Sequence, residues 1–512
     1  MEDTAYVQLR GITKTFGTVI ANDGIDLDIK KGEIHALLGE NGSGKSTLMN
    51  ILSGIYSPDK GSIIIDGKEK MFGSPSDSIA AGIGMVYQHF KLVDVFSAKE
   101  NIIAGRKGSF IINDKEMTQK INTIAEKYGL AINPDKKVYN MSVSEKQTVE
   151  ILKVLYRGAN VLILDEPTAV LTPQEIKVLF DILRNMKREG CAVIIITHKL
   201  NEVLDISDRV TILRKGHSIE TIITAESDTR KLTEAMVGKP ISLCIDCPKA
   251  DDKIVHPIFE VKNLTVLNGE QNKAVDDLSF TLNSGEILGA AGIAGSGQKE
   301  LCEAIYGMAH IQSGNIMFHG SDIVGLKPKD IIRKGISMSF VPEDRLGMGL
   351  VAGMDIVDNV LLKSYQNKPG MFIDRKAGTE KAEEIIEKYS IDTPGPSQIV
   401  KRLSGGNIQK VLLGREIDTN PEVLITAYPV RGLDIGASYN IYDVLNEQKM
   451  KGVGVLFIGE DLDVLLELCD RIMVIHDGKI MGIVQANQIT KEDIGLMMLG
   501  RKTVEEEVSA NA

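Results

Sequence analysis

The feature that most limits the fold is that the chain is written twice. Asp208-Arg-Val210 returns as Asp470-Arg-Ile472, and Met236-Val-Gly-Lys239 returns as Met498-Leu-Gly-Arg501, both 262 residues later. Gly32-Glu-Ile34 and Gly285-Glu-Ile287 stand 253 residues apart, so a nine-residue difference builds up between these landmarks. A spacing of this size is far beyond a solenoid repeat, and 512 residues exceed what one hydrophobic core holds. The pattern predicts two copies of one domain, residues 5–243 and 257–502, joined at 244–256 by a short linker with mixed charges.

A glycine-rich turn follows the Gly-Glu-Ile landmark in each copy. In the first, Ile34–Leu38 reads as a strand and 46–52 as the opening of a helix. Between them run Gly39, Glu40, Asn41, Gly42, Ser43, Gly44, Lys45, Ser46 and Thr47. This is a phosphate-binding pattern. Glycines let successive backbone N–H groups wrap a polyphosphate, and a helix N-terminus adds partial positive charge. Lys45 can reach the β- and γ-phosphates, and the Ser46 hydroxyl can ligate Mg²⁺. Strand-to-helix turns use glycine for geometry alone; the Lys-Ser pair is what points to a nucleotide.

Each copy opens with alternating segments that read as a β-rich lobe, Val7–Phe16 and then 24–29 in the first. A helix-rich stretch follows at about 98–158. Two apolar runs then end in polar residues: Val161-Leu-Ile-Leu164 before Asp165-Glu166, and Ala192-Val-Ile-Ile-Ile196 before Thr197-His198. Short β-branched runs of this kind read as buried parallel strands with functional groups at their carboxyl ends. Asp165 is placed to hold Mg²⁺, and Glu166 to orient and deprotonate an attacking water. Buried carboxylates are costly unless a metal or polar partner compensates, which disfavours a purely structural role. His198 is expected at the γ-phosphate, Gln88 at Mg²⁺ or the water, and Phe16 stacked on a base.

Phosphate loop, Gln88, Leu164-Asp-Glu-Pro167 and His198, in this order and spacing, resemble the ATP-binding cassette ATPases, twice over and across nearly the whole chain. The resemblance implies an α/β fold: two tandem P-loop cassettes, each a RecA-like core with an antiparallel β-subdomain and a helical subdomain. It implies ATP and Mg²⁺ as ligand and cofactor. It also implies an intramolecular pseudo-dimer, in which each ATP lies between one copy's phosphate loop and the other's Leu-Ser-Gly-Gly-Gln signature.

The second copy departs from the family in a patterned way. Gln298 and Lys299 stand where Lys45 and Ser46 stand, Ala427 and Tyr428 replace Asp165 and Glu166, Glu343 replaces Gln88, and Glu460 replaces His198. Yet it keeps Leu403 followed by Ser404, Gly405, Gly406 and Asn407, close to the signature, and the Gly432-Leu-Asp434 crossing loop. The first copy has the reverse defects: Met141-Ser-Val-Ser-Glu145 in place of the signature, and a crossing loop ending in Thr172. Head-to-tail pairing sorts every intact part into one composite site, hence one hydrolytic site per chain.

Two fused cassettes resemble the energising subunit of a bacterial importer for simple sugars or nucleosides. Val341-Pro-Glu-Asp-Arg345 and Arg431-Gly-Leu-Asp434 resemble that class, and Gln88-His-Phe90 with the stretch 167–174 resembles its nucleoside branch more than its ribose or galactose branch. That class implies two transmembrane permease subunits, received in a groove near Gln88 to Ile102, and a substrate-binding lipoprotein. It implies a peripheral place on the cytoplasmic side of the cell membrane. A net charge of −11 argues against nucleic-acid binding, and with the short linker it argues against a ribosome-associated twin cassette. No segment approaches about 18 continuous apolar residues, and the acidic N-terminus is no signal peptide. Five cysteines form no framework; Cys244 and Cys247, with only His256 nearby, read as two linker thiols rather than a zinc site.

Overall fold

The computed structural model describes residues 5–17, 19–88, 90–105, 114–238, 245–251, 253–293, 295–340, 349–365, 373–431, 433 and 435–501. The chain divides into two compact units, Met1–Ser242 and Leu243–Ala512. The joining stretch belongs to the second: the Asp246 carbonyl accepts from Asn446 Nδ2 at 2.5 Å, and Cys247 Sγ lies 3.2 Å from the Leu468 carbonyl. The segment expected as a linker from 244 is thus docked on the unit it leads into.

The first unit contains β1 (Val7–Phe16), β2 (Val19–Ile29), β3 (Ile34–Leu38), β4 (Lys60–Ile65), β5 (Lys68–Lys70), β6 (Ile83–Val86), β7 (Val161–Asp165), β8 (Ala192–Thr197), β9 (Arg209–Arg214) and β10 (His217–Ile223). One antiparallel sheet has the order β2-β1-β4-β5; the other runs β10-β9-β3-β8-β7-β6 and is parallel from β9 to β6. The alternation in β1 and β2 buries Val7, Leu9, Ile25 and Leu27 against the helix Lys45–Leu52. The strands β3, β7 and β8 are buried on both faces, which is why they read as continuous apolar runs. Helices Ala98–Ile103, Asp114–Tyr128 and Val143–Tyr156 fill the stretch expected to be helical.

The second unit repeats this with β11 (Pro257–Leu267), β12 (Lys273–Asn283), β13 (Ile287–Ala291), β14 (Ile311–Phe318), β15 (Ser321–Asp322), β16 (Ile336–Phe340), β17 (Val423–Ala427), β18 (Gly454–Ile458), β19 (Arg471–His476) and β20 (Lys479–Gln485). Its sheets run β12-β11-β14-β15 and β16-β17-β18-β13-β19-β20. Equivalent ties recur: Asp208 accepts from the Ile34 N–H and Lys187, and Asp470 accepts from the Ile287 N–H and Lys449. In the first unit, β3 lies next to β8 and β8 next to β7, so the residues after Leu38, Asp165 and Thr197 leave the sheet side by side.

Candidate nucleotide site

The loop after β3 enters the helix Lys45–Leu52 through Gly44, held at φ 101°. A Cβ there would lie 2.4 Å from the Ala21 carbonyl oxygen, and one at Gly39 would lie 2.3 Å from that of Leu213. Glycine is therefore required at both positions. No side chain caps this helix, which leaves the N–H groups of its first turn for a ligand. Leu48, Met49 and Leu52 anchor its opposite face in the core. Asn22, fully buried on β2, donates from Nδ2 to the Gly44 carbonyl at 3.1 Å and fixes the loop. Nothing in the local spacing marks Asn22.

Along the loop, Gly39 and Ser43 are buried, Glu40 and Gly44 half-buried, and Asn41, Gly42 and Ser46 exposed; Thr47 is half-buried in the first turn. Lys45 is buried and folds back, its Nζ donating to the carbonyls of Gly39 at 2.7 Å and Glu40 at 3.0 Å. Burial lowers its pKa, opposed by the charges of Glu166 and Asp165. Burial, and then the neighbouring Glu166, push the Asp165 carboxyl up to about 6, against the pull of Lys45.

Glu166 sits in the left-handed region at φ 47°, unusual for a long side chain. Its N–H donates to the Ile196 carbonyl at 2.9 Å. Its Oε1 lies 2.9 Å from His198 Nδ1, while Oε2 is buried without a partner among the described residues. The turn that follows is tied down by Gln147 Nε2 to the Pro167 carbonyl at 2.9 Å and by Thr168 Oγ1 to Glu202 at 2.6 Å, contacts the spacing does not announce. The fold thus gathers Lys45, Asp165, Glu166 and His198. Gln88 leaves the end of β6, the strand beside β7, with its side chain exposed. Phe16 is 44% exposed and meets Tyr56 edge to face at 5.3 Å; Tyr56 was not anticipated.

In the second unit the same backbone carries different chemistry. Gly297 repeats the turn at φ 102°, and Tyr428 repeats the left-handed position at φ 54°. Gln298 is buried like Lys45 but neutral, its Nε2 3.5 Å from the Ile293 carbonyl. Arg431 pairs with Glu460 at 3.6 Å and lies 5.8 Å from the centre of the Tyr428 ring. Glu343 and the rest of 341–345, together with Gly432, Asp434, His89 and Cys244, lie outside the described residues.

The two signature stretches both open a helix. Ser142 caps Val143–Tyr156 in a closed box with Glu145, whose carboxylate accepts the Ser142 N–H at 2.8 Å and meets Lys136 at 2.6 Å. Ser404 caps Gly405–Asp418, which has no acidic residue in its first turn. There Asn407 Nδ2 donates to Ser404 Oγ at 3.0 Å and to the Asp392 carbonyl at 3.1 Å. Among the described residues, a Cβ at Gly406 would meet only Leu433, at 3.4 Å. Thr172, expected as the end of a crossing loop, is buried and caps the helix Pro173–Arg188 together with Glu175.

A cavity of about 180 Å³ opens in the first unit, lined among others by Ser53, Ile79, Tyr87, Glu150, Lys153 and Arg157. Of the described residues in the stretch 88–102, expected to form a groove, only Lys91 lines it; the exposed Val93, Val95 and Phe96 follow closely in sequence. Asn101 holds that segment through Val93, accepting its N–H at 2.8 Å and donating to its carbonyl at 3.1 Å.

A family model described as ABC transporter matches residues 22–169 and again 275–429. The chain is 44% identical to the nucleoside import ATP-binding protein NupA of Lactococcus lactis subsp. cremoris, over 98% of this chain and 99% of that one. It is 42% identical to the guanosine import ATP-binding protein NupO of Bacillus subtilis, over 96% and 97%. It is 38% identical to the ribose import ATP-binding protein RbsA of Lactococcus lactis subsp. lactis, over 96% and 99%. With two matched cassettes and relatives aligned end to end, the chain belongs to the ATP-binding cassette transporter family, as a tandem pair of its ATPase domains.

Proposed function

We propose that this chain is the ATP-hydrolysing subunit of a nucleoside importer, held at the cytoplasmic face of the cell membrane by two permease subunits that a substrate-binding lipoprotein supplies. The observation that carries the ATPase part is the cluster of Lys45, Asp165, Glu166 and His198 at the carboxyl ends of adjacent strands. The nucleoside part is supported by the relatives' names, with ribose import as the second reading. No helix among the described residues is long and apolar enough to cross a membrane, so the membrane link falls to partners.

ATP enters with its base against Phe16 and Tyr56 and its phosphates in the loop 39–47. Lys45 exchanges the Gly39 and Glu40 carbonyls for β- and γ-phosphate oxygens, which are stronger acceptors for an ammonium. The donor set fits Mg²⁺: a buried carboxyl at Asp165 that resists ionising without a cation, the Ser46 hydroxyl, and the Gln88 amide. Bound there, the metal supplies charge neutralisation between the phosphates. Glu166 takes the proton of the attacking water on Oε2, while His198 holds Oε1 and fixes the carboxylate's orientation.

The second half of the site comes from Ser404, Gly405, Gly406 and Asn407, whose helix N-terminus is uncharged and open. The first copy's equivalent end carries Glu145, whose charge repels a γ-phosphate. One composite site per chain follows. The test is uptake of labelled nucleosides, ribose and galactose by a deletion strain complemented with wild type or Glu166→Gln. Loss of nucleoside uptake, restored by wild type alone, is the expected result; loss confined to sugar uptake transfers the assignment to the second reading.

A further inference from the structure

The two phosphate turns are stitched to their sheets by the same backbone bonds, and one buried side chain sets them apart. In the first unit the Gly216 N–H donates to the Ser43 carbonyl at 3.1 Å, and the Asp23 N–H donates to the Gly216 carbonyl at 2.8 Å. In the second, Gly478 donates to Ser296 at 3.0 Å and Asp276 to Gly478 at 2.9 Å. The carbonyls of Ala21 and Ala274 stand similarly close to the two turn glycines, 2.4 Å and 2.2 Å from a Cβ built at Gly44 and Gly297. This register makes Val275 on β12 the counterpart of Asn22 on β2, and both are buried.

The Gly44 carbonyl accepts twice, from the Leu48 N–H at 2.9 Å and from Asn22 Nδ2 at 3.1 Å. The Gly297 carbonyl accepts from the Leu301 N–H at 2.9 Å, and the side chain of Val275 has no donor to add. The Gly44 carbonyl shares a planar peptide with the Lys45 N–H, which therefore points the opposite way, out of the helix start, where it has no acceptor within the helix. A glycine leaves its peptide freer to swing than other residues do, and at φ 101° the Asn22 amide restrains that swing. A hydrogen bond to the carbonyl also polarises the N–H across the peptide and makes it a better donor. The restraint has a cost, because Asn22 Oδ1 is buried with no partner among the described residues. An unpaired buried amide oxygen destabilises a fold. The turn with the Lys-Ser pair bears that cost; the turn without it carries an apolar valine instead.

We propose that Asn22 is a positioning residue for ATP: by holding the Gly44 carbonyl it aims and strengthens the Lys45 N–H as a donor to the nucleotide's phosphates. Fully buried on β2, it acts through the backbone of the turn rather than on the substrate. The inference rests on the reading of residues 39–47 as the phosphate seat and adds to that seat a residue from another strand. It also gives the copies a further inequality, behind the turn rather than in it.

The test compares the full chain as wild type, as Asn22→Val, which carries the second copy's side chain, and as Asn22→Leu, which keeps the branched shape of the amide. ATP titration should show binding weakened by about 3- to 10-fold in both variants. The steady-state KM for ATP should rise by the same factor while kcat stays within about twofold, the pattern of lost uniform binding. The melting temperature without ligand should hold or rise, because the unpaired oxygen is gone; a side chain kept for packing alone would lower it. Unchanged ATP affinity in a folded variant overturns the proposal. So does a fall in kcat at unchanged KM, and so does lost affinity accompanied by a lower melting temperature in both variants. Lys45→Ala binding ATP as well as wild type would instead refute the phosphate seat, the reading beneath the proposal.

Discussion

The Asp165 carboxyl, pushed up to about 6 by burial and then by Glu166, carries a stability consequence. Its unfolded value is about 3.9. Between about pH 4 and pH 6 the folded chain therefore holds a proton that the unfolded chain has released, and stability falls as pH rises through that window. Asp165→Asn should flatten this slope and stabilise the ligand-free protein at pH 7 by about 1–3 kcal/mol, while abolishing turnover. Denaturant unfolding at pH 4 and pH 7 checks it; a variant less stable than wild type at pH 7 shows the charge already compensated. Glu166→Gln should keep ATP binding and lose about 10²–10⁴-fold in turnover, and Lys45→Ala should lose binding itself. Near-wild-type hydrolysis in either removes that residue from its role. Lys45, Asp165, Glu166 and His198 were legible because each ends or follows an apolar run at a fixed distance. Asn22 and Tyr56 were not, because each acts on a residue far away in sequence, Gly44 and Phe16.

At the scale of elements, the turn into the helix Lys45–Leu52 is set by backbone space rather than by side chains. Gly44→Ala forces a Cβ to 2.4 Å from a fixed carbonyl at φ 101°. It should cost about 1–3 kcal/mol and weaken ATP binding. Gly11→Ala, also at positive φ but with nothing within 4 Å, should cost about 1 kcal/mol and leave binding alone. Equal losses in the two, measured by unfolding and nucleotide titration, would mean that the clash at Ala21 relaxes freely. The strands of the large sheets were readable from their β-branched runs, and the ends shifted by a residue where Asp165 and Thr197 continue the ladder. Thr172 ends its loop and starts the next helix at once, because a Thr with Glu three residues on, followed by proline, makes a capping box.

At the scale of the whole molecule, the duplication was plain from the repeated landmarks, but not where the second copy gains its residues. Asn359 repeats the bonds of Asn101 at an offset of 258, so five of the nine extra residues come before it and four after. Those four precede the helix Gly405–Asp418, whose offset from Val143–Tyr156 is 262. One insertion therefore precedes the helical part, the other lies within it, and the phosphate turn is spared. The proposed division of labour makes the copies unequal in a way that kinetics can rank. Ser404→Arg puts a bulky cation at the open, acid-free helix end and should reduce hydrolysis as severely as Lys45→Ala. Ser142→Arg alters a helix end already closed by Glu145 and should be mild, apart from about 1 kcal/mol of lost capping. Gln298→Lys should create no second activity, because Ala427 and Tyr428 still supply neither a metal ligand nor a base. Hydrolysis that survives Ser404→Arg and fails with Ser142→Arg would place the working site on the other pairing.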